Sequence, residues 1–88
     1  MGSYSLSFKN SVEKDLRKIP NEFIPRIFEH IEKLSTDPFP YDTRKIAGAE
    51  SLYRIRIGDY RIIYRVVHES REVVVFYIRH RSVAYRGL

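Results

Sequence analysis

The sequence predicts an α+β domain of order β-α-α-β-β-β: an N-terminal strand and a two-helix hairpin packed on one face of a small, mainly antiparallel four-stranded sheet. Three observations carry this. Residues 52–57 (Leu-Tyr-Arg-Ile-Arg-Ile) and 60–67 (Tyr-Arg-Ile-Ile-Tyr-Arg-Val-Val) alternate across Gly58-Asp59, a two-residue hairpin signal. Residues 10–34 carry apolar side chains at helical spacing, interrupted at Pro20. Residues 72–78 are apolar on both faces, as in a strand with neighbours on either side.

The elements follow in order. Tyr4-Ser-Leu-Ser-Phe8 alternates and reads as a half-buried strand. Asn10 and Glu13 have the spacing of a capping pair that opens a helix, with Val12, Leu16 and Ile19 on one face. Pro20-Asn21 ends it. Phe23, Ile24, Ile27, Phe28, Ile31 and Leu34 form the stripe of a second helix, with Pro25 in the first turn, where a missing N–H is tolerated. Asp37-Pro-Phe-Pro40 stops that helix. Residues 41–50 read as a loop, with Arg44-Lys45-Ile46 leading toward the sheet and Gly48 as a turn residue. A looser turn at Glu69-Ser70-Arg71 joins the hairpin to strand 72–78, and residues 80–86 read as a short helical turn.

Length and composition bound what this chain does. Eighty-eight residues make a single domain, 1–88, with a small core and modest stability unless a partner covers part of it. At 43% hydrophobic and 31% charged the chain is globular, not disordered. There is no cysteine, hence no disulfide and no thiolate site, and no apolar run reaches membrane-spanning length. The expectation is a reduced, cytoplasmic protein that does not engage membrane. The net charge of +5 favours an acidic partner. Residues 46–88 hold eight basic and four acidic groups, so most of the excess lies in the strand-rich half.

That half uses arginine throughout; no lysine follows Lys45. A two-residue hairpin loop pairs Ile57 with Tyr60, Arg56 with Arg61, Ile55 with Ile62 and Arg54 with Ile63. Alternation then puts Tyr53, Ile55, Ile57, Tyr60, Ile62 and Tyr64 toward the helices, and Arg54, Arg56, Arg61 and Arg65 on the other face. Like charges directly opposed on a sheet cost a few tenths of a kcal/mol to about 1 kcal/mol. A guanidinium is a planar fork of donors suited to phosphate, so function is where the compensation is sought. For any one arginine a solvated surface position is an equal explanation; the set, free of lysine and poor in acid, is less readily explained that way.

Arg79-His80-Arg81 adds basic groups where the last strand ends, and their faces depend on the length of the second turn. Tyr85, beside Arg86, either stacks on a nucleobase or packs back on the sheet. His80, next to Arg81, is the best-placed imidazole for proton transfer. No His/Asp/Glu spacing suggests a metal site, and no glycine-rich phosphate loop is present.

Lys45-Ile-Ala-Gly48, the run Leu52-Tyr-Arg-Ile-Arg-Ile-Gly-Asp-Tyr-Arg-Ile-Ile-Tyr-Arg-Val66, and His80-Arg81 with Tyr85 resemble the RelE/ParE superfamily of toxins from type II toxin–antitoxin systems. The likeness covers nearly the whole chain and implies the RelE-like fold outlined above. The RelE branch implies a ribosome-dependent mRNA endoribonuclease that acts in the A site without a metal or other cofactor. The ribose 2′-hydroxyl attacks the adjacent phosphate, and a cognate RelB-like antitoxin neutralises the toxin in a hetero-oligomer. By motif, the resemblance places Arg54 and Arg56 at two catalytic basic positions, and Arg61 on the scissile phosphate. It places Arg81 where charge develops on the leaving group, and Tyr85 against the nucleotide. Arg65, Arg79, Arg86 and Lys45 are expected as further RNA contacts.

The chain departs from the RelE pattern at Arg54 and Arg56, where well-known members have lysines, one of them assigned as general base. Arginine does not deprotonate in proteins. Either transition-state stabilisation carries the rate, or His80, Asp59 or an RNA group takes the proton. Two other functions stay open: a ParE-like inhibitor of DNA gyrase that cuts no RNA, and a degenerate toxin that only binds antitoxin or nucleic acid.

Overall fold

A computed structural model describes residues 3–49 and 51–88. β1 (Ser5–Phe8) is followed by α1 (Asn10–Arg17), a 3₁₀ turn (Asn21–Phe23) and α2 (Ile24–Lys33). Then come β2 (Arg44–Lys45), β3 (Leu52–Ile57), β4 (Tyr60–Val67) and β5 (Glu72–His80). The strands lie in the order β1-β5-β4-β3-β2; β1 is parallel to β5 and all other neighbours are antiparallel.

The sheet therefore has five strands where four were expected. The extra one is β2, whose Arg44 and Lys45 pair with Arg54 and Tyr53. Two residues are too few to show alternation, so this edge reads as loop until β3 is beside it. The expected capping pair also does not form: α1 opens after Lys9 with no side-chain cap. The Lys9 N–H donates to Val75 O at 2.9 Å, so the last link of β1 to β5 fixes where the helix begins. Glu13 instead pairs with Arg17 one turn on, at 3.0 Å.

Pro20 and Pro25 act as expected, the first ending α1 and the second sitting in the first turn of α2. The hairpin register is the expected one at every pair, including Arg56 opposite Arg61. Gly58 takes φ +58 at the first central position of its turn, as a type II′ hairpin requires. Ile27, Ile31 and Leu34 of the second helical segment meet Ile55, Ile57, Ile62 and Tyr64 of the sheet in the main core. Burying each of these aliphatic side chains stabilises the fold by about 1.5–3 kcal/mol.

β5 lies inside the sheet, between β1 and β4, and contains a bulge. Ile63 pairs with Tyr77 but Tyr64 pairs with Val75, leaving Phe76 as the extra residue. Phe76 and Tyr77 consequently both turn away from the helices, while Val73, Val75 and Ile78 all enter the main core. β1 pairs with β5 only as far as Val75, so the outer edge of the bulged segment needs other partners. α1 supplies them: Ser11 Oγ donates to Phe76 O at 2.6 Å, and the Ile78 N–H donates to Asp15 Oδ2 at 2.9 Å.

The face away from the helices is not wholly polar. Leu52, Ile63 and Ala84 form a second buried cluster, flanked by Ile46, Ala49, Phe76 and Tyr77. The chain after β5 folds over it in successive three-residue turns, with Val83, Arg86 and Leu88 N–H bonding to His80, Val83 and Tyr85 carbonyls. This is the expected turn region, lying just beyond His80, which ends β5. Among the described residues no helix is long and apolar enough to cross a membrane.

Candidate functional site

Cross-strand register builds the site. Arg56 pairs with Arg61, and Arg61 pairs with Arg79, so three arginines lie side by side on β3, β4 and β5. Two interstrand steps span about 10 Å. One pleat away, Arg44 pairs with Arg54. Among the described residues no carboxylate lies within ion-pair distance of Arg54, Arg56, Arg61 or Arg79; the ion pairs are Arg17–Glu13 and Arg81–Asp59. The single acid on β3–β5 is Glu72, which pairs with Val67 at the far end and accepts from Ser7 Oγ at 3.1 Å. Six residues of strand, about 20 Å, separate that end from Arg61. Among the described residues no acid on these strands lies beside the row.

Two arginines gather at the hairpin turn. Arg61 Nη1 donates to Gly58 O at 3.2 Å and to Tyr60 O at 3.1 Å. The Arg81 N–H donates to Asp59 O at 2.8 Å, and its Nε lies 3.7 Å from Asp59 Oδ1. Both residues of that Arg81–Asp59 pair are largely exposed, so the pair itself contributes little to stability.

Arg79 works on the tail. Its guanidinium stacks 3.6 Å from the centre of the Tyr77 ring. Its Nη1 donates to Arg86 O at 2.8 Å and Ala84 O at 3.5 Å, the two carbonyls that flank Tyr85. The tail does pack back on the sheet, but through Ala84; Tyr85 keeps 47% of its surface exposed. Tyr85 lines a groove of about 320 Å³ with Arg44, Lys45, Arg54 and Leu88. Arg44 was not expected in the site. Its signal is parity: with Arg44 opposite Arg54, it belongs on the arginine face, whereas Lys45, opposite Tyr53, reaches the groove from its rim.

Other candidates lie apart. His80 pairs with Tyr60, a residue of the helix-covered face, and the two rings meet edge to face at 5.7 Å. Its Nδ1 is 2.9 Å from Ser82 Oγ. The bulge puts His80 there, on the side of the sheet opposite the arginine row. Arg65 is half-buried, with its guanidinium 5.1 Å from the centre of the Phe76 ring. Arg86 lines a cleft between α1 and the tail. Among the described residues no group of three or more His, Asp or Glu is placed to hold a metal ion.

Tyr64 supports the site from the core. Its hydroxyl donates to Pro38 O at 2.8 Å and lies 3.1 Å from Thr43 Oγ1, tying the segment before β2 to the middle of the sheet. Burial pushes its phenol up to about 12.

Comparison with known proteins bears on the family and the fold. Residues 6–85 match the family described as ParE toxin of type II toxin-antitoxin system, parDE. The putative toxin RelE1 of Methanocaldococcus jannaschii is 31% identical over 87 residues, covering 96% of this chain and 97% of that protein. Toxin RelG of Mycobacterium tuberculosis is 31% identical, covering 94% and 97%. The crystal structure of the archaeal RelE–RelB complex from Pyrococcus horikoshii superposes with a TM-score of 0.78 at 30% identity, covering 93% of this chain and 99% of that one.

Proposed function

This chain belongs to the RelE/ParE superfamily of type II toxin–antitoxin toxins, and from that premise we propose that it is a metal-independent endoribonuclease cutting messenger RNA in the ribosomal A site. The observation that carries the reading is the row Arg56–Arg61–Arg79, three opposed guanidinium groups with no acid between them. Such a surface matches a phosphate whose charge grows in the transition state.

In the proposed reaction the 2′-oxygen of one nucleotide bonds to the adjacent phosphorus and the bond to the 5′-oxygen of the next breaks. A 2′,3′-cyclic phosphate and a 5′-hydroxyl result; the 2′ proton leaves and the 5′-oxygen gains one. Arg56, Arg61 and Arg79 hold the phosphoryl oxygens, Arg54 widens the field, and Arg81, beside the turn that carries Arg61, meets charge on the leaving oxygen. Tyr85 stacks on a neighbouring base. Arginine is not a base at these pH values, and His80 faces the other side of the sheet. Asp59, exposed at the hairpin turn beside Arg81, or an RNA group is left to take the proton, and stabilisation of the transition state supplies the rate.

A RelB-like antitoxin is the proposed partner, since the similar archaeal toxin was solved in complex with RelB. The ribosomal target places the protein in the cytoplasm. Primer-extension mapping on programmed ribosomes tests the reading: discrete cuts are expected with wild type and not with Arg61→Ala. Uncut message at saturating toxin overturns it. The ParE description of the family favours one competitor, inhibition of DNA gyrase. Stabilised gyrase–DNA cleavage complexes together with intact message would select that function instead.

A further inference from the structure

A second cleft lies beyond the β5 edge, between the end of α1 and the tail. It encloses about 430 Å³ and is lined by Asp15, Lys18, Tyr60, Arg79, His80 and Arg86, with Ile78 and Val83 among the apolar residues of its wall. Three residues with cationic side chains and one histidine, from three separate segments, line it: Lys18 after α1, Arg79 and His80 on β5, and Arg86 in the tail. Its one acid, Asp15, already accepts the Ile78 N–H. Tyr60 and His80, packed edge to face, form an aromatic wall. The size falls within the range of small-ligand sites, and the mixture of ring faces, apolar surface and cations suits a nucleotide.

The cleft shares Arg79 with the arginine row. A strand whose phosphate lies on Arg56, Arg61 and Arg79 and which continues past the β5 edge reaches Lys18 and Arg86 next. We propose that this cleft binds the nucleotide flanking the scissile phosphate, its phosphate held by Lys18 and Arg86 and its base set against Tyr60 and His80. The assignment rests on reading the arginine face as an RNA site. It gives His80 a binding role on the helix side of the sheet, separate from proton transfer.

Binding, not cleavage, tests it. The probes are fluorescent oligoribonucleotides of increasing length, extended from either end and carrying 2′-deoxyribose at the attacking position, so no cut can occur. Anisotropy is read with the full-length toxin at several salt concentrations. Wild type should gain affinity in a step when one end acquires the nucleotide that reaches the cleft. Lys18→Ala and Arg86→Ala should each abolish most of that step and lower the salt slope by about 0.7, the value for one phosphate contact on a single strand. Shorter probes should bind both variants as they bind wild type. Lys33→Ala, which removes the same charge from the exposed end of α2, should change neither.

A wild-type profile with no length step overturns the proposal. So does equal weakening at every length, which marks a general charge effect, or weakening confined to antitoxin binding, which marks a protein contact. A toxin that shows the step yet leaves messages uncut refutes the nuclease reading while the cleft assignment stands.

Discussion

The two faces of the hairpin are made from the same stretch of chain, residues 52–67, and obey opposite rules. Toward the helices, Ile57 meets Tyr60, Ile55 meets Ile62 and Tyr53 meets Tyr64, and each pair adds buried apolar surface. Toward the other side, Arg56 meets Arg61 within the hairpin and Arg54 meets Arg44 of the neighbouring β2, and each pair adds like-charge repulsion. A sheet can carry such repulsion only when its other face supplies the stability. The helix-covered face holds the main core, while the other combines a smaller buried cluster with a row of like charges, the kind of local conflict expected at a functional site.

Paired substitutions on adjacent residues should split the two roles most widely. Ile62→Ala is expected to lower unfolding free energy by about 2–5 kcal/mol in urea titrations. Arg61→Ala should leave stability within about 0.5 kcal/mol and reduce ribosome-dependent cleavage about 100- to 1,000-fold. A large stability loss in Arg61→Ala would break the division between faces.

Tyr64 gives the helix-covered face a pH signature. Its folded pKa of about 12 lies above the unfolded value near 10. The folded state therefore holds the proton more tightly. The associated stability is fully present below pH 10 and is lost as pH rises toward 12. The loss should amount to about 2–3 kcal/mol in chemical denaturation. In Tyr64→Phe this alkaline loss should vanish, while stability at neutral pH falls by about 1–3 kcal/mol, because the Pro38 carbonyl loses its donor.

Asp15 connects the faces. Asp15→Ala strands the Ile78 N–H and should cost about 1–3 kcal/mol. It should also slow cleavage, by loosening the bulge that directs Arg79. Asp15→Asn, which keeps an acceptor, should recover much of both; unchanged cleavage in Asp15→Ala would uncouple the bulge from the site. A smaller effect is expected at Arg56. Arg56→Thr should stabilise the protein by a few tenths of a kcal/mol to about 1 kcal/mol in thermal melts while weakening RNA binding. The smallest is at His80: His80→Ala should keep single-turnover cleavage within about two-fold at saturating substrate.

Much of this molecule was legible because its strongest signals are short-range. The Gly58-Asp59 turn fixes register locally, so every pair from Ile57–Tyr60 to Arg54–Ile63 followed from spacing. The helix stripes and Pro20 worked for the same reason. What escaped depended on distant partners. β2 is a strand only because β3 lies beside it, so Arg44 was passed over and Lys45 preferred. The Asn10–Glu13 cap gave way to a link from Lys9 to Val75, far along the chain.

The sequence by itself determined that the hairpin would present arginines opposite a helix-packed face, because alternation and turn length are properties of neighbouring residues. It could not decide which of Arg79 and His80 would join them. Strict alternation from Val73 and Val75 would turn Arg79 toward the helices and His80 toward the arginines. The bulge at Phe76 reverses this, and it persists with Ser11 and Asp15 of α1 satisfying the backbone groups around it. A one-residue slip flips every later side chain, so the third arginine of the row was placed by a helix more than sixty residues away.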